Sequence, residues 1–139
     1  MGRVLVPILV ENLGDLWDAE KGRIAIGDAR RVEIPDALVD TGSTTLALPS
    51  STIAQLGLHK RSEKTAVTSA GKRTINVFGA VRLTILGRDC TVDVMEVPDD
   101  VPALVGQIPL EMLDLVVDSR NRKVTGNPAH NGEHVLELL

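Results

Sequence analysis

Cysteine, aromatic side chains and runs of positive charge are all scarce in this sequence, and each scarcity removes a class of protein. Cys90 is the single cysteine. An intrachain disulfide framework is therefore impossible, and a reducing compartment is the natural setting. Trp17 and Phe78 are the only aromatic residues. With a net charge of −4 and no basic run, the chain lacks both the electrostatic footprint and the stacking platform of a nucleic-acid-binding protein. Long apolar runs are missing too. The N-terminal segment Val4 to Val10 is interrupted by Pro7, is too short to span a bilayer and has no small-residue cleavage site after it. Val6 stands where a myristoylation signal needs Ser or Thr. A soluble, cytoplasmic protein without nucleic-acid or membrane partners is expected.

Apolar residues nevertheless make up 43% of the 139 residues. That length suits one domain with a real core. Without aromatics the core must be built from Val, Leu, Ile and Ala, and the Val, Ile and Thr content favours strands. Short alternating segments recur with turn residues between them. Val4 to Val10 reads as a first strand, with Pro7 marking an edge or a bend. Glu11 to Arg30 is polar and irregular; Leu13, Leu16 and Trp17 suit either a helical turn or an Ω-like loop. Arg31 to Ile34 is a strand, followed by a turn or bulge at Pro35-Asp36. Thr45 to Leu48 extends again, and Thr52 to Leu56 is a short helix closed by Gly57.

Lys64 to Thr68 and Thr74 to Phe78 form a hairpin over Ser69-Ala70-Gly71-Lys72-Arg73. Ala80 to Leu86 and Cys90 to Val97 form a second, each strand with one buried face. Ala103 to Gly106 is a short buried strand, and Pro109 to Leu113 a short helix. Leu115 to Asp118 and Lys123 to Thr125 make a last hairpin before the polar segment Gly126 to Glu133. His134 to Leu139 ends the chain. This succession predicts an all-β barrel or sandwich with one or two short helices.

One stretch carries the chemistry. Ala37-Leu38-Val39 runs straight into Asp40-Thr41-Gly42, and a second apolar run follows. A carboxylate is thereby placed at the end of a buried strand, where ionisation is costly unless partners are supplied. The plainer interpretation is an Asx turn in which Asp40 bonds only its own backbone. An echo supports more than a turn. Ala37-Leu38-Val39-Asp40 recurs as Ala103-Leu104-Val105-Gly106, each followed by a short helix. Two half-domains about a local pseudo-twofold are expected, with Gly106 admitting the close approach of another segment.

In this order and spacing the sequence resembles the retropepsin-like aspartic proteases. Ala37 to Thr44 is similar to their catalytic signature, Lys64 to Phe78 falls where they carry a flap hairpin, and Leu104-Val105-Gly106 with its following helix is similar to their apolar-apolar-Gly motif. The resemblance spans roughly residues 32–125 and implies a closed, acid-protease-type β-barrel. Residues 1–30 are then an N-terminal strand plus an insertion, 31–125 the protease core and 126–139 a tail. It implies two carboxylates sharing a proton, one activating water and the other polarising the scissile carbonyl. Since the chain has one Asp-Thr-Gly, it implies a homodimer contributing one Asp40 from each subunit.

By the same resemblance, Thr41 bonds across the dyad, and Gly42 brings its backbone to the carboxylate and the substrate. Ser43, where viral members have alanine, donates to Asp40. Ser69, Ala70 and Gly71 close over an extended peptide or unfolded polypeptide, and Gly106 lies beside the site. No cofactor or metal is implied. The hairpin tip has less glycine than viral flaps and carries two charges, and residues 11–30 have no counterpart. Val4 to Val10 and His134 to Leu139 are the candidate terminal dimer strands. The alternative function is a dimer of the same fold that binds peptides or assembles without significant proteolysis.

Other signals are weaker. His130 and His134 share an i, i+4 spacing that could serve a metal, but Gly132 separates them and no third ligand follows, so polar tail histidines are expected. Cys90 lies within an alternating strand and reads as a small core residue rather than a nucleophile. Asp99, Asp100 and Asp118 fall in turns and read as solvated. Lys72 and Arg73 read as solubilising charges.

Overall fold

The alternating segments close on themselves around one aliphatic interior. The computed structural model describes residues 3–138. Six strands form a closed, mixed barrel: β1 (Leu5–Asn12), β2 (Arg31–Val39), β3 (Leu46–Pro49), β5 (Gly71–Ile85), β6 (Arg88–Val97) and β7 (Leu104–Val105). Their order around the barrel is β1-β2-β7-β3-β6-β5, and pairing of β1 with β5 completes the circuit. β4 (His59–Thr68) lies outside on β5, and β8 (Leu115–Asp118) with β9 (Lys123–Gly126) forms a separate two-stranded sheet. Three short α-helices lie among the described residues, α1 (Leu13–Glu20), α2 (Ser50–Leu56) and α3 (Gln107–Met112), with single 3-10 turns at Ile26–Asp28 and Pro128–His130.

The interior is almost wholly aliphatic, as the missing aromatics require. Leu46, Leu48, Leu56, Leu83, Ile85, Leu110 and Leu113 are fully buried within it. Each contributes about 1.5–3 kcal/mol of apolar burial. Cys90 packs against this core, and burial, then the neighbouring Asp89 charge, push its thiol up to about 11. Both effects disfavour the thiolate, the nucleophilic form of the group.

The prolines mark a bulge. Val6 pairs with Ala37 and Ile8 with Ile34, so Pro7 faces Pro35 and Asp36, two residues against one. A bulge is a place where a strand accommodates prolines, which cannot donate to the ladder. β2 therefore runs unbroken through Pro35, and β1 is a stave rather than an edge. It pairs along its length with β2 and, through Leu9 to Asn12, with β5. Val4 to Val10 is thus built into the barrel, with Leu5 to Ile8 paired on the β2 side alone. Residues 134–138 form no strand within the single chain, and Leu139 lies outside the described residues.

One open alternative is settled and two further expectations change. Residues 13–20 are helical, because the Asn12 side chain accepts the Asp15 amide hydrogen bond (3.0 Å) and donates to the Leu56 carbonyl (2.8 Å), capping α1 and pinning it to α2. The two central hairpins share one long strand, β5, instead of breaking at Gly79-Ala80. The first of them begins at His59 and turns through Ser69 and Ala70 alone. Thr68 closes that turn, its hydroxyl donating to the Gly71 carbonyl at 2.8 Å and accepting from the Ala70 amide at 3.2 Å. Asp99 is not merely solvated: it accepts the Ser51 amide at 2.9 Å, capping α2, whose own N-cap is Pro49.

Two buried carboxylates lie away from the Asp40 turn. Glu11, 3% exposed, receives both Nε (3.0 Å) and Nη2 (2.8 Å) of Arg82. Asp114 anchors the tail. Its carboxylate accepts hydrogen bonds from the Val135 amide (3.0 Å) and Asn127 Nδ2 (3.2 Å), and lies 2.6 Å from His130 Nδ1. His130 Nε2 in turn meets Glu137 at 2.9 Å. Arg88 secures the same corner through the carbonyls of Leu113, Asp114 and Gly132.

Burial opposes the Asp114 charge, but the Val135 amide, His130 and Asn127 outweigh it and hold the group down to about 2. Hydrogen bonds to Glu137 and Asp114 raise His130 above 6.5. The His130 contribution to stability is complete below about pH 6.5 and is lost as pH rises through its raised value. The Asp114 contribution is complete above the ordinary carboxylate range and is lost as pH falls towards about 2. Melting temperature is therefore expected to decline on the alkaline side, and His130→Ala should flatten that decline. Thermal denaturation between about pH 5 and pH 9 checks it; an identical alkaline slope in the variant would refute the assignment.

Candidate active site

Asp40 follows the last residue of β2, where the chain leaves the barrel wall. The two echoing segments prove to be neighbours: β2 and β7 pair in parallel, Leu38 opposite Leu104 and Val39 opposite Val105. The Leu38 amide donates to the Ala103 carbonyl (2.8 Å) and the Asp40 amide to Val105 (2.9 Å). The backbone of Asp40 is thus locked before its side chain is considered.

The turn itself is tight. The Ser43 amide donates to the Asp40 carbonyl at 3.0 Å, and the Gly42 amide donates to Asp40 Oδ1 at 3.0 Å. The latter is the Asx-turn contact of the plainer interpretation. The second oxygen is also engaged, because the Ser43 hydroxyl donates to Oδ2 at 3.0 Å. Both donors hold the carboxylate in one orientation. Asp40 and Ser43 are half-buried, while Thr41 and Gly42 are exposed.

α3 braces the turn from behind. Its leading amides, Gly106, Gln107 and Ile108, donate to the carbonyls of Thr45 (3.0 Å), Ser43 (2.9 Å) and Thr44 (2.9 Å). Helix donors that have no intrahelical partner are thereby satisfied by the Asp40 loop. Gly106 is what permits the approach. A Cβ there would lie 2.6 Å from the Ser43 and Thr45 carbonyl oxygens and 2.7 Å from the Thr45 nitrogen.

A cavity of about 400 Å³ opens beside the turn, lined by Asp40, Thr41, Leu38, Arg3, Val117 and Ser119 among others. Among the described residues Asp40 is the only carboxylate on its wall. Ser69 and Ala70 line a different and larger cavity of about 600 Å³, between the β4–β5 hairpin and the loop at Pro98 and Val101. The structure therefore brings together Asp40, Thr41, Gly42, Ser43 and Gly106, and leaves Ser69, Ala70 and Gly71 at a separate place.

A row of side chains links the two. Register puts Leu38, Leu104, Ala47, Met95 and Val77 on one face of five neighbouring strands. The opposite face supplies the core residues Ala37, Val105, Leu46 and Val94, and within the row Ala47 and Val77 are buried while Leu38, Leu104 and Met95 are half-buried. The row ends two residues from Asp40 at one side and continues along β5 towards Ile75 at the other. Sequence reasoning missed this row, although alternation outward from Asp40 places Leu38 on the same face. It also missed Val117 and Ser119, which tertiary folding alone brings to Asp40.

A closed mixed barrel carrying an Asp-Thr-Gly turn braced by an apolar-apolar-Gly strand defines a protein of the acid-protease type. A family model described as aspartyl protease matches residues 23–111. The chain belongs to this aspartyl protease family. No curated protein matches it significantly.

Proposed function

We propose that the protein is an aspartic endopeptidase that works as a homodimer, each subunit supplying one Asp40. The observation that carries this reading is the isolation of a well-oriented carboxylate: Asp40 is fixed by Gly42 and Ser43 on the wall of a cavity that has no second acid among the described residues. A water held between two such carboxylates is deprotonated by one while the other, protonated, polarises the peptide carbonyl. Twofold symmetry supplies the missing partner. Thr41, exposed beside Asp40, bonds across the dyad. Gly42 presents its backbone to substrate, and Gly106 keeps the turn in place.

The β4–β5 hairpin acts as the flap, with Ser69, Ala70 and Gly71 closing over an extended polypeptide that lies along the Leu38-to-Val77 row. The β8–β9 sheet is the favoured dimer contact, since its strands pair only with each other among the described residues and Val117 and Ser119 line the same cavity as Asp40. The protein is proposed to act in the cytoplasm without a cofactor; among the described residues no helix is long and apolar enough to cross a membrane.

Total activity should fall faster than linearly on dilution, in step with the dimer population measured by analytical ultracentrifugation. Activity strictly proportional to concentration in a monomeric protein would overturn the shared site. A stable dimer that binds peptides without cleaving them would favour the assembly-module alternative.

A further inference from the structure

Charge is divided unevenly between the hairpin and the barrel. Residues 59–78 carry five of the chain's lysines and arginines and one carboxylate, Glu63. The hairpin is formally +4 and the remainder −8, in a chain of net charge −4. Only the base of the hairpin is neutralised, by Lys60–Glu63 at 2.5 Å and Arg61–Asp93 at 3.9 Å. Among the described residues Lys64, Lys72 and Arg73 have no carboxylate within 4.0 Å.

Two of these three cations share the face that continues the apolar row. Lys64 sits opposite Ile75, and Arg73 opposite Ala66. The two-residue strand period therefore puts Arg73, Ile75 and Val77 on one side, with Lys64 beside them. Lys72 and Val67 point the other way, and Val67 is 81% exposed. Arg73 and Ile75 also line the cavity of about 600 Å³, a volume in the range of ligand sites. The single carboxylate on that wall among the described residues, Glu96, accepts a hydrogen bond from Asn76 Nδ2 at 3.0 Å and forms no ion pair with Arg73.

We propose that this hairpin selects acidic peptides: Arg73 and Lys64 receive Asp or Glu side chains flanking an apolar segment that lies on the Leu38-to-Val77 row. The inference rests on the cleft assigned above and adds its substrate class. A guanidinium and a carboxylate form charge-assisted, often bidentate hydrogen bonds, which neutral amides match poorly. In a symmetric dimer two such hairpins approach each other, and like charges within a Debye length of about 8–10 Å repel. An anionic substrate relieves that repulsion and favours closure. A nucleic acid fits less well, since the hairpin offers one aromatic residue, Phe78, at its base and none near the tip.

The test compares peptides sharing one apolar centre, flanked by Asp/Glu, by Asn/Gln or by Lys. Binding to the full-length Asp40→Asn protein is read by fluorescence anisotropy at about pH 6, where the acids are ionised, and cleavage is read with wild type. Acidic peptides are expected to bind about tenfold more tightly than neutral ones, with the advantage shrinking as salt rises. The doubly reversed variant, Lys64→Glu with Arg73→Glu, should prefer the Lys peptides; both positions are exposed, so folding is not at stake.

Equal binding of acidic and neutral peptides, or a preference indifferent to the reversal, overturns the inference even if cleavage is observed. Preference without cleavage supports it while removing the protease reading. A single-stranded oligonucleotide that displaces the acidic peptide at equal affinity overturns it in favour of indiscriminate polyanion binding.

Discussion

Asp40→Asn is expected to lower peptide hydrolysis at least about a thousandfold, the scale of losing an acid–base group at the reacting centre. Folding should survive. Asn retains an oxygen for the Gly42 amide, and the strand before it stays locked by the Asp40 amide on the Val105 carbonyl. The contact placed at risk is the Ser43 hydroxyl on Oδ2, a partly buried hydrogen bond of about 1 kcal/mol. Peptide cleavage across acid pH, with thermal melting of the same preparations, separates the two effects.

Mixing sharpens the prediction. When a large excess of Asp40→Asn chain is exchanged into wild type, each wild-type subunit is paired with a subunit lacking the carboxylate. Activity should then collapse well below that of undiluted wild type at the same wild-type concentration. If activity instead tracks the amount of wild-type chain, each subunit holds a complete site and the shared dyad is wrong.

The second large effect is expected at Gly106. Gly106→Ala should destabilise the protein by about 3 kcal/mol, the upper part of the range for overpacking a rigid site. The backbone conformation is not the obstacle, because φ −90° and ψ −173° are open to alanine. The obstacle is contact: three backbone atoms of Ser43 and Thr45 lie 2.6–2.7 Å from the new methyl group. Backbone cannot swing aside as a side-chain end can. The Asp40 loop must move or the β7–α3 junction must, and either displaces the hydrogen bonds of Gly106, Gln107 and Ile108. Activity should therefore fall with stability, unlike in Asp40→Asn. Denaturant unfolding midpoints check the first part; a midpoint within experimental error of wild type would sink the argument.

Much of this site was legible as residues, little of it as a place. The Asp40 turn, the Gly106 echo and the short helices after each follow from local pattern, since turn chemistry and helix punctuation act over a few residues. The same holds for Gly57, which closes α2 with a left-handed φ of 62°. His130 was not legible. It read as a polar tail residue, and only folding puts it between Asp114 and Glu137, 16 and 7 residues away. The helix at Leu13–Glu20 was equally ambiguous, because its cap side chain is held by a carbonyl 44 residues distant.

By itself the sequence determined that the core is aliphatic, that the chain is built of short strands, and that one carboxylate stands on a glycine turn after a buried strand. These are properties of composition and period, which act locally. Tertiary structure alone decided that the echoing segments lie side by side in register, that β1 is a stave of the barrel, and that Val117 and Ser119 reach the Asp40 cavity. Strand partners and register are settled by burial across long separations, and no short window of sequence contains both sides of such a contact.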